Sequence, residues 1–166
     1  MQVTLHHATP SDLPLIADLA DRIWRVHYTP IIGEKQVEYM LDKMYSVKSL
    51  TEQVTDGQLF FLVYADKKPQ GYLSISSKNK EDYFLHKFYL EIEQQGKGIG
   101  KKAFAQLLSE FPELKMIRLQ VNRMNYKSVN FYFRLGFVIE EAKDFDIGDG
   151  YFMEDYVMMY SAPEKK

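Results

Sequence analysis

The segment from Asp82 to Val121 limits what this chain can fold into more than any other. An aromatic-rich run of strand length, Asp82 to Leu90, leads into a polar, glycine-rich stretch from Glu91 to Gly100. Ile99, Ala103, Leu107 and Phe111 then recur at helical spacing, and Ile117, Leu119 and Val121 alternate as a strand does. Side chains return to one side about every 3.6 residues on a helix and about every two on a strand, so the order reads strand, loop, helix, strand. A strand that rejoins its sheet through a helix runs parallel to the first, because a hairpin cannot make that connection. The fold is therefore a layered α/β one.

The rest of the chain supplies further layers. Gln2 to His6 reads as an opening strand. Thr9 suits a helix N-cap, with Pro10 and Asp12 in the first turn. Leu13, Ile16, Ala17, Ala20, Ile23 and Trp24 then mark a buried helix face, with a break expected at Thr29-Pro30. Glu34 to Tyr45 reads as a second helix that buries Val37, Met40, Leu41 and Met44 and sets Glu34, Glu38 and Asp42 four apart on another face. Leu59 to Ala65, a turn at Asp66 to Pro69 and the alternating Tyr72 to Ile75 form a hairpin. Asn125 to Leu135 is a helix stopped by Gly136, and Phe137 to Glu141 and Tyr151 to Tyr160 are the last strands. These patterns predict one α/β domain over residues 1–166, with a mixed sheet of about six to seven strands and about four helices.

Composition narrows the partners. With 166 residues, 46% of them hydrophobic, the chain can bury a core without bridges or metals. It has no cysteine, which excludes a disulfide framework, a cysteine–zinc site and a thiol nucleophile, and suits a reducing cytoplasm. No metal is expected. A net charge of −2 lacks the basic excess of a nucleic-acid footprint. No apolar run approaches the roughly 18 residues of a membrane span, so neither nucleic acid nor membrane is an expected partner. The apolar last strand, Phe152 to Tyr160, would suit a homodimer contact.

Gln94-Gln95-Gly96-Lys97-Gly98-Ile99-Gly100-Lys101-Lys102 carries the most chemical information. Glycine accepts positive φ, and successive N–H groups at the head of a helix form a nest for phosphate. A solvated strand-to-helix turn has the same glycines, so context decides. A dinucleotide fold would place a carboxylate about 20 residues on, where this chain has Arg118-Leu119-Gln120. A Walker loop would follow Gly-Lys with Ser or Thr, but Gly98 follows Lys97 and Lys102 follows Lys101.

Gln95-x-x-Gly98-x-Gly100 resembles the pyrophosphate loop of the GCN5-related N-acetyltransferases. Asn125-x-x-Ser128-x-x-Phe131-Tyr132-x-x-x-Gly136-Phe137 is similar to a second motif of that family, with Ser128 in place of alanine. Softer matches at Trp24, His27-Tyr28, Leu85 to Leu90 and Asp146 to Gly150 look like its bacterial polyamine branch. The resemblance implies acetyl-CoA as cosubstrate, held by Phe88, Leu90, Gln95, Gly96, Lys97, Gly98, Ile99, Gly100, Lys101, Asn125 and Ser128. It also implies Tyr132 as the acid that protonates the leaving thiolate. Without the motif, Tyr132 between two phenylalanines reads as a core aromatic.

Attack on a thioester needs a neutral amine, and taking the proton from an alkylammonium near neutral pH costs about 4 kcal/mol. The strand position that carries a glutamate base in the histone branch of that family is Phe84 here, which cannot titrate. His86 is the candidate base, and a water chain is the competing one. Glu34, Glu38 and Asp42 on one side and Asp144, Asp146, Asp149, Glu154 and Asp155 on the other offer acidic walls for a small amine, a polyamine in particular. A protein N-terminus or lysine as acceptor, and a non-catalytic acyl-CoA sensor, are the alternatives.

Overall fold

The computed structural model describes residues 1–165. Its elements run β1 (Val3–His7), α1 (Leu13–Ile32), α2 (Glu34–Tyr45), α3 (Val47–Thr55), β2 (Leu59–Ala65) and β3 (Lys68–Ser77). They continue as β4 (Asp82–Leu90), α4 (Ile99–Glu110), β5 (Met116–Asn122), α5 (Tyr126–Leu135), β6 (Val138–Gly148) and β7 (Tyr151–Ser161). The strands form one mixed sheet in the order β1-β2-β3-β4-β5-β7-β6. β4 and β5 pair in parallel, from Asp82 opposite Met116 to Leu85 opposite Leu119, as the crossover pattern requires. Among the described residues there are five α-helices where four were expected. The chain divides into two compact units, residues 1–76 with 87–112, and residues 77–86 with 113 onward.

In the first unit, α1 buries Leu13, Ile16, Leu19, Ala20, Ile23 and Trp24 on the predicted face. Each buried aliphatic side chain of this kind contributes about 1.5–3 kcal/mol of transfer free energy. The helix expected from Pro10 starts as a 3₁₀ turn, Pro10–Asp12, in which the Thr9 N–H donates to Asp12 Oδ2 at 2.8 Å. The break expected at Pro30 is absent, and α1 continues to Ile32. Proline removes one N–H, and in the last turn that loses a single helical bond. Gly33, at φ 85°, ends the helix. Beside the sheet edge, the Gln106 side chain of α4 accepts from the Leu5 N–H at 3.0 Å and donates to the Val3 carbonyl of β1.

In the second unit, β5 buries Ile117, Leu119 and Val121 on one face. Asn125 caps α5, its side-chain oxygen accepting from the Ser128 N–H at 3.2 Å. Gly136, at φ 103°, closes the helix beside the Tyr160 ring. The β6–β7 hairpin turns through Asp149 and Gly150, both at positive φ, the pattern of a tight two-residue hairpin turn. β6 runs seven residues past the expected Glu141.

Candidate active site

The glycine-rich loop lies wholly in the first unit. A 3₁₀ turn, Ile92–Gln94, leads from β4 to Gln95, whose Nε2 donates to the Leu90 carbonyl at 3.4 Å and ties the loop to the strand end. Gly96 and Gly98 both have φ 79°, and Gly98 is the left-handed N-cap of α4. A Cβ added at either would meet no protein atom within 4 Å, so the demand for glycine is conformational and the outer face of the loop is open. Ile99 and Gly100 are buried in the first turn, and the first helical bond closes at Lys102 N–H to the Gly98 carbonyl. The N–H groups of Ile99, Gly100 and Lys101 therefore have no acceptor within the helix, which is the donor set an anion uses. Lys97 reaches Gln94 at 3.5 Å, Lys102 reaches the Met1 carbonyl at 3.1 Å, and Lys101 is exposed. Phe88 is buried and Leu90 half-buried at the end of β4. There the strand is clamped to β3: the Glu91 N–H donates to the Gln70 carbonyl at 2.7 Å, and a Cβ at Gly71 would lie 2.2 Å from the Tyr89 carbonyl oxygen.

Behind β4 the same unit holds a buried lysine. Lys87 is 3% exposed, donates to Gln53 Oε1 at 2.6 Å and Gln58 Oε1 at 3.4 Å, and sits over the Tyr45 and Phe60 rings. Burial pushes its ammonium down to about 8. Next to it, Trp24 stacks on Tyr28 at 4.3 Å and meets Tyr45 and Tyr89, and Tyr72 lies against both Tyr45 and Tyr89. Burial raises the Tyr45 and Tyr72 phenols well above their ordinary range, so they stay neutral. Lys87 was not singled out from the sequence, although its place between Leu85 and Tyr89 on one face of an alternating strand is a signal that could have found it.

A groove of about 310 Å³ between α1 and α2 is lined by Asp21, Arg25, Glu38, Asp42 and Tyr45, among others. The acidic row predicted on α2 is partly neutralised there, because Arg25 pairs with Asp21 at 3.0 Å and with Glu38 at 3.5 Å.

The second unit carries the other candidates. His86 is half-buried on β4, its ring 4.8 Å from Phe84. Tyr132 is 7% exposed on α5, with Phe131 and Phe137 rings at 5.5 and 5.4 Å. Asn125 and Ser128 are joined by the cap, so this half of the motif also has a local structural use. Asp155 is fully buried on β7, and neither carboxylate oxygen has a hydrogen-bond partner. Burial pushes its carboxyl up to about 7, against the nearby charge of Arg123 and with that of Asp144. Among the described residues, no helix is long and apolar enough to cross a membrane and no group of acids and histidines suits a metal ion.

The mixed sheet has one parallel crossover, and the loop at the head of its crossover helix offers backbone donors suited to a phosphate group. Residues 28–148 match the acetyltransferase (GNAT) domain, and the chain belongs to that family of acetyl-CoA-dependent N-acetyltransferases. It is 26% identical over 154 residues to a spermidine N(1)-acetyltransferase of Thermoplasma acidophilum, covering 88% of this chain and 94% of that one. The fold matches a PaiA N-acetyltransferase from Thermoplasma acidophilum, crystallised with coenzyme A, at TM-score 0.80 and 22% identity over 98% of this chain and all of the other. It also matches a spermidine N-acetyltransferase from Vibrio cholerae, crystallised with coenzyme A and spermine, at TM-score 0.70 and 21% identity, covering 96% and 95% of the two chains.

Proposed function

We propose that this enzyme acetylates a primary amine of a small molecule, a polyamine the best fit, by direct attack within a ternary complex. The observation that carries the cofactor half is the conjunction of Gly96 and Gly98 at positive φ with the open first turn of α4. Backbone N–H groups there suit pyrophosphate oxygens, and Lys97 and Lys101 add charge. The likeness to a spermidine acetyltransferase over most of both chains supports the acceptor half.

Acetyl-CoA supplies an activated acetyl thioester. Backbone N–H groups of the strand ending at Leu90 would stabilise the negative charge that develops on the acetyl oxygen, as the family resemblance implies. The amine nitrogen bonds to the acetyl carbon, the carbon–sulfur bond breaks, and the Tyr132 hydroxyl gives its proton to the departing sulfur. His86 takes the proton from the amine, with a water chain as the other acceptor. Asn125 caps the start of α5, the helix that carries Tyr132, by accepting from the Ser128 N–H.

Thiol release with a panel of polyamines, monoamines and peptides tests this reading. Tyr132→Phe should keep its affinity for coenzyme A and lose about 100-fold or more in turnover, the range a positioned general acid supplies. Unchanged turnover, with chemistry rate-limiting, would return Tyr132 to the core. Activity confined to peptides would replace the small-amine acceptor.

A further inference from the structure

The glycine-rich stretch begins at Glu91, the first residue past β4. The backbone there is held on both sides. The Glu91 N–H donates to the Gln70 carbonyl of β3 at 2.7 Å, and the Glu91 carbonyl accepts from the Gln94 N–H at 2.9 Å within the 3₁₀ turn. The side chain is held from a third direction, by α1. Arg22 directs both Nε and Nη2 to Glu91 Oε1, at 3.2 and 2.7 Å. Its Nη1 donates to Asp18, one turn earlier on the helix, so the planar guanidinium is braced from behind. Further along α1, the Trp24 ring lies 5.6 Å from that of Tyr89, and the Tyr28 hydroxyl 3.4 Å from the Tyr89 hydroxyl. α1 thus packs on the end of β4 through aromatic rings and holds the start of the loop through one ion pair.

The Arg22 and Glu91 side chains are 49% and 25% exposed, and an ion pair so close to water adds little to folding stability. Its place at the base of the loop gives it another use. Gly96 and Gly98 leave the loop backbone freer than other residues would, so the direction of its N–H groups depends on how the two ends are anchored. α4 anchors the far end, and Glu91 with Gln95 the near one. We propose that the Arg22–Glu91 ion pair is a latch that aims the N–H groups of the loop at the pyrophosphate of the cofactor, with both members acting as positioning residues. The inference rests on the assignment of the loop to pyrophosphate made above. A latch needs both of its members. Were Arg22 present only to offset a carboxylate beside an anion site, removing Glu91 would do no harm, and that contrast separates the two roles.

The test measures Kd for coenzyme A by calorimetry, and kcat and KM with acetyl-CoA and with S-acetylpantetheine, which has the thioester but no pyrophosphate. Spermidine is the acceptor. Arg22→Ala and Glu91→Ala should each raise Kd for coenzyme A and KM for acetyl-CoA about 5-fold, the effect of removing one well-aligned exposed ion pair, and leave kcat and the KM for spermidine unchanged. The double variant should be no worse than either single one, because the two members act as a unit. Arg22→Lys keeps the charge without the two-donor fork and should fall between wild type and Arg22→Ala. Activity with S-acetylpantetheine should be the same in all of these proteins, whereas a general disturbance of the β4 end would lower it too. Melting curves confirm that the variants are folded. Wild-type affinity for coenzyme A in Arg22→Ala or in Glu91→Ala, losses that add in the double variant, or an equal loss with S-acetylpantetheine would overturn the latch. Gly98→Val keeps that failure distinct from failure of the loop assignment. A folded Gly98→Val protein that binds coenzyme A normally would overturn both, and one that does not bind it leaves the loop assignment standing whatever the Arg22 variants do.

Discussion

Lys87 and Asp155 are both charged side chains sealed in the interior, and the two regions treat them in opposite ways. Around Lys87, two glutamine oxygens accept its protons and two aromatic rings lie under its charge. The network continues outward, since Gln53 Nε2 donates to the Met44 carbonyl at 2.7 Å and Ser74 donates to Gln58 at 3.0 Å. Neither oxygen of Asp155 accepts a hydrogen bond. A cation needs only acceptors and π faces, which a core rich in tyrosine and glutamine has to hand, whereas an anion needs N–H or O–H groups aimed at it. The lysine is a solved structural problem. The aspartate is one left open, at a cost in stability.

The largest expected effect comes from closing that problem artificially. The folded carboxyl holds its proton up to about pH 7, whereas an unfolded aspartate releases it near 3.8. Stability therefore falls as pH rises between those values, because the unfolded chain ionises and the folded one does not, and the full cost, about 4 kcal/mol, is present above pH 7. Asp155→Asn should match the wild type near pH 4 and exceed it by up to about that amount at pH 8, read from denaturant curves. A constant gap across the range would mean that Asp155 has a partner after all, and the contrast with Lys87 would collapse.

Lys87 gives the mirror image. Its folded pKa of about 8 lies below the 10.5 of a free lysine, so between those values the unfolded chain holds more protons than the folded one and stability rises with pH. The burial cost is complete below pH 8, and its recovery by pH 10.5 amounts to about 3 kcal/mol. Lys87→Met should abolish this rise while leaving the acid-side slope of Asp155 in place. A rise that persists in the variant would assign the slope to another group.

The smallest effect sharpens the comparison by disturbing one region alone. Gly71→Ala would drive a methyl group to 2.2 Å from the Tyr89 carbonyl, so β3 or the end of β4 has to yield. Overpacking of this sort costs about 1–3 kcal/mol. Melting of Gly71→Ala should show that loss, with the pH 4–7 slope unchanged, and a changed slope would show that the surroundings of Asp155 depend on β3.

What was legible in the sequence follows the same physics. The bounds of β4 and α4 were readable because an aromatic strand, a glycine-rich loop and an amphipathic helix each impose a strong local pattern. α3 escaped notice because Leu50 is its one fully buried side chain, which leaves no periodicity to read. β6 was cut short because it is exposed along its first seven residues and shows no inside-outside alternation. The phosphate-type loop was visible since positive φ is a demand written in glycine. The burial of Lys87 and Asp155 was not, because a charged residue in a sequence reads as surface until distant segments close over it.

The amide of Gln106 has a consequence for how the protein behaves in a crowd of its own copies. β1 stands at one end of the sheet, and an end strand is a template on which another chain can polymerise. By taking the Leu5 N–H and the Val3 carbonyl together, one side chain imitates the next strand in line and acts as a chain terminator. An incoming segment has to evict a bidentate amide before it gains its first rung. At the opposite end, the irregular registers of β6 at Ile139–Glu141 and Asp146–Gly148 leave only short straight stretches on which a second chain could align.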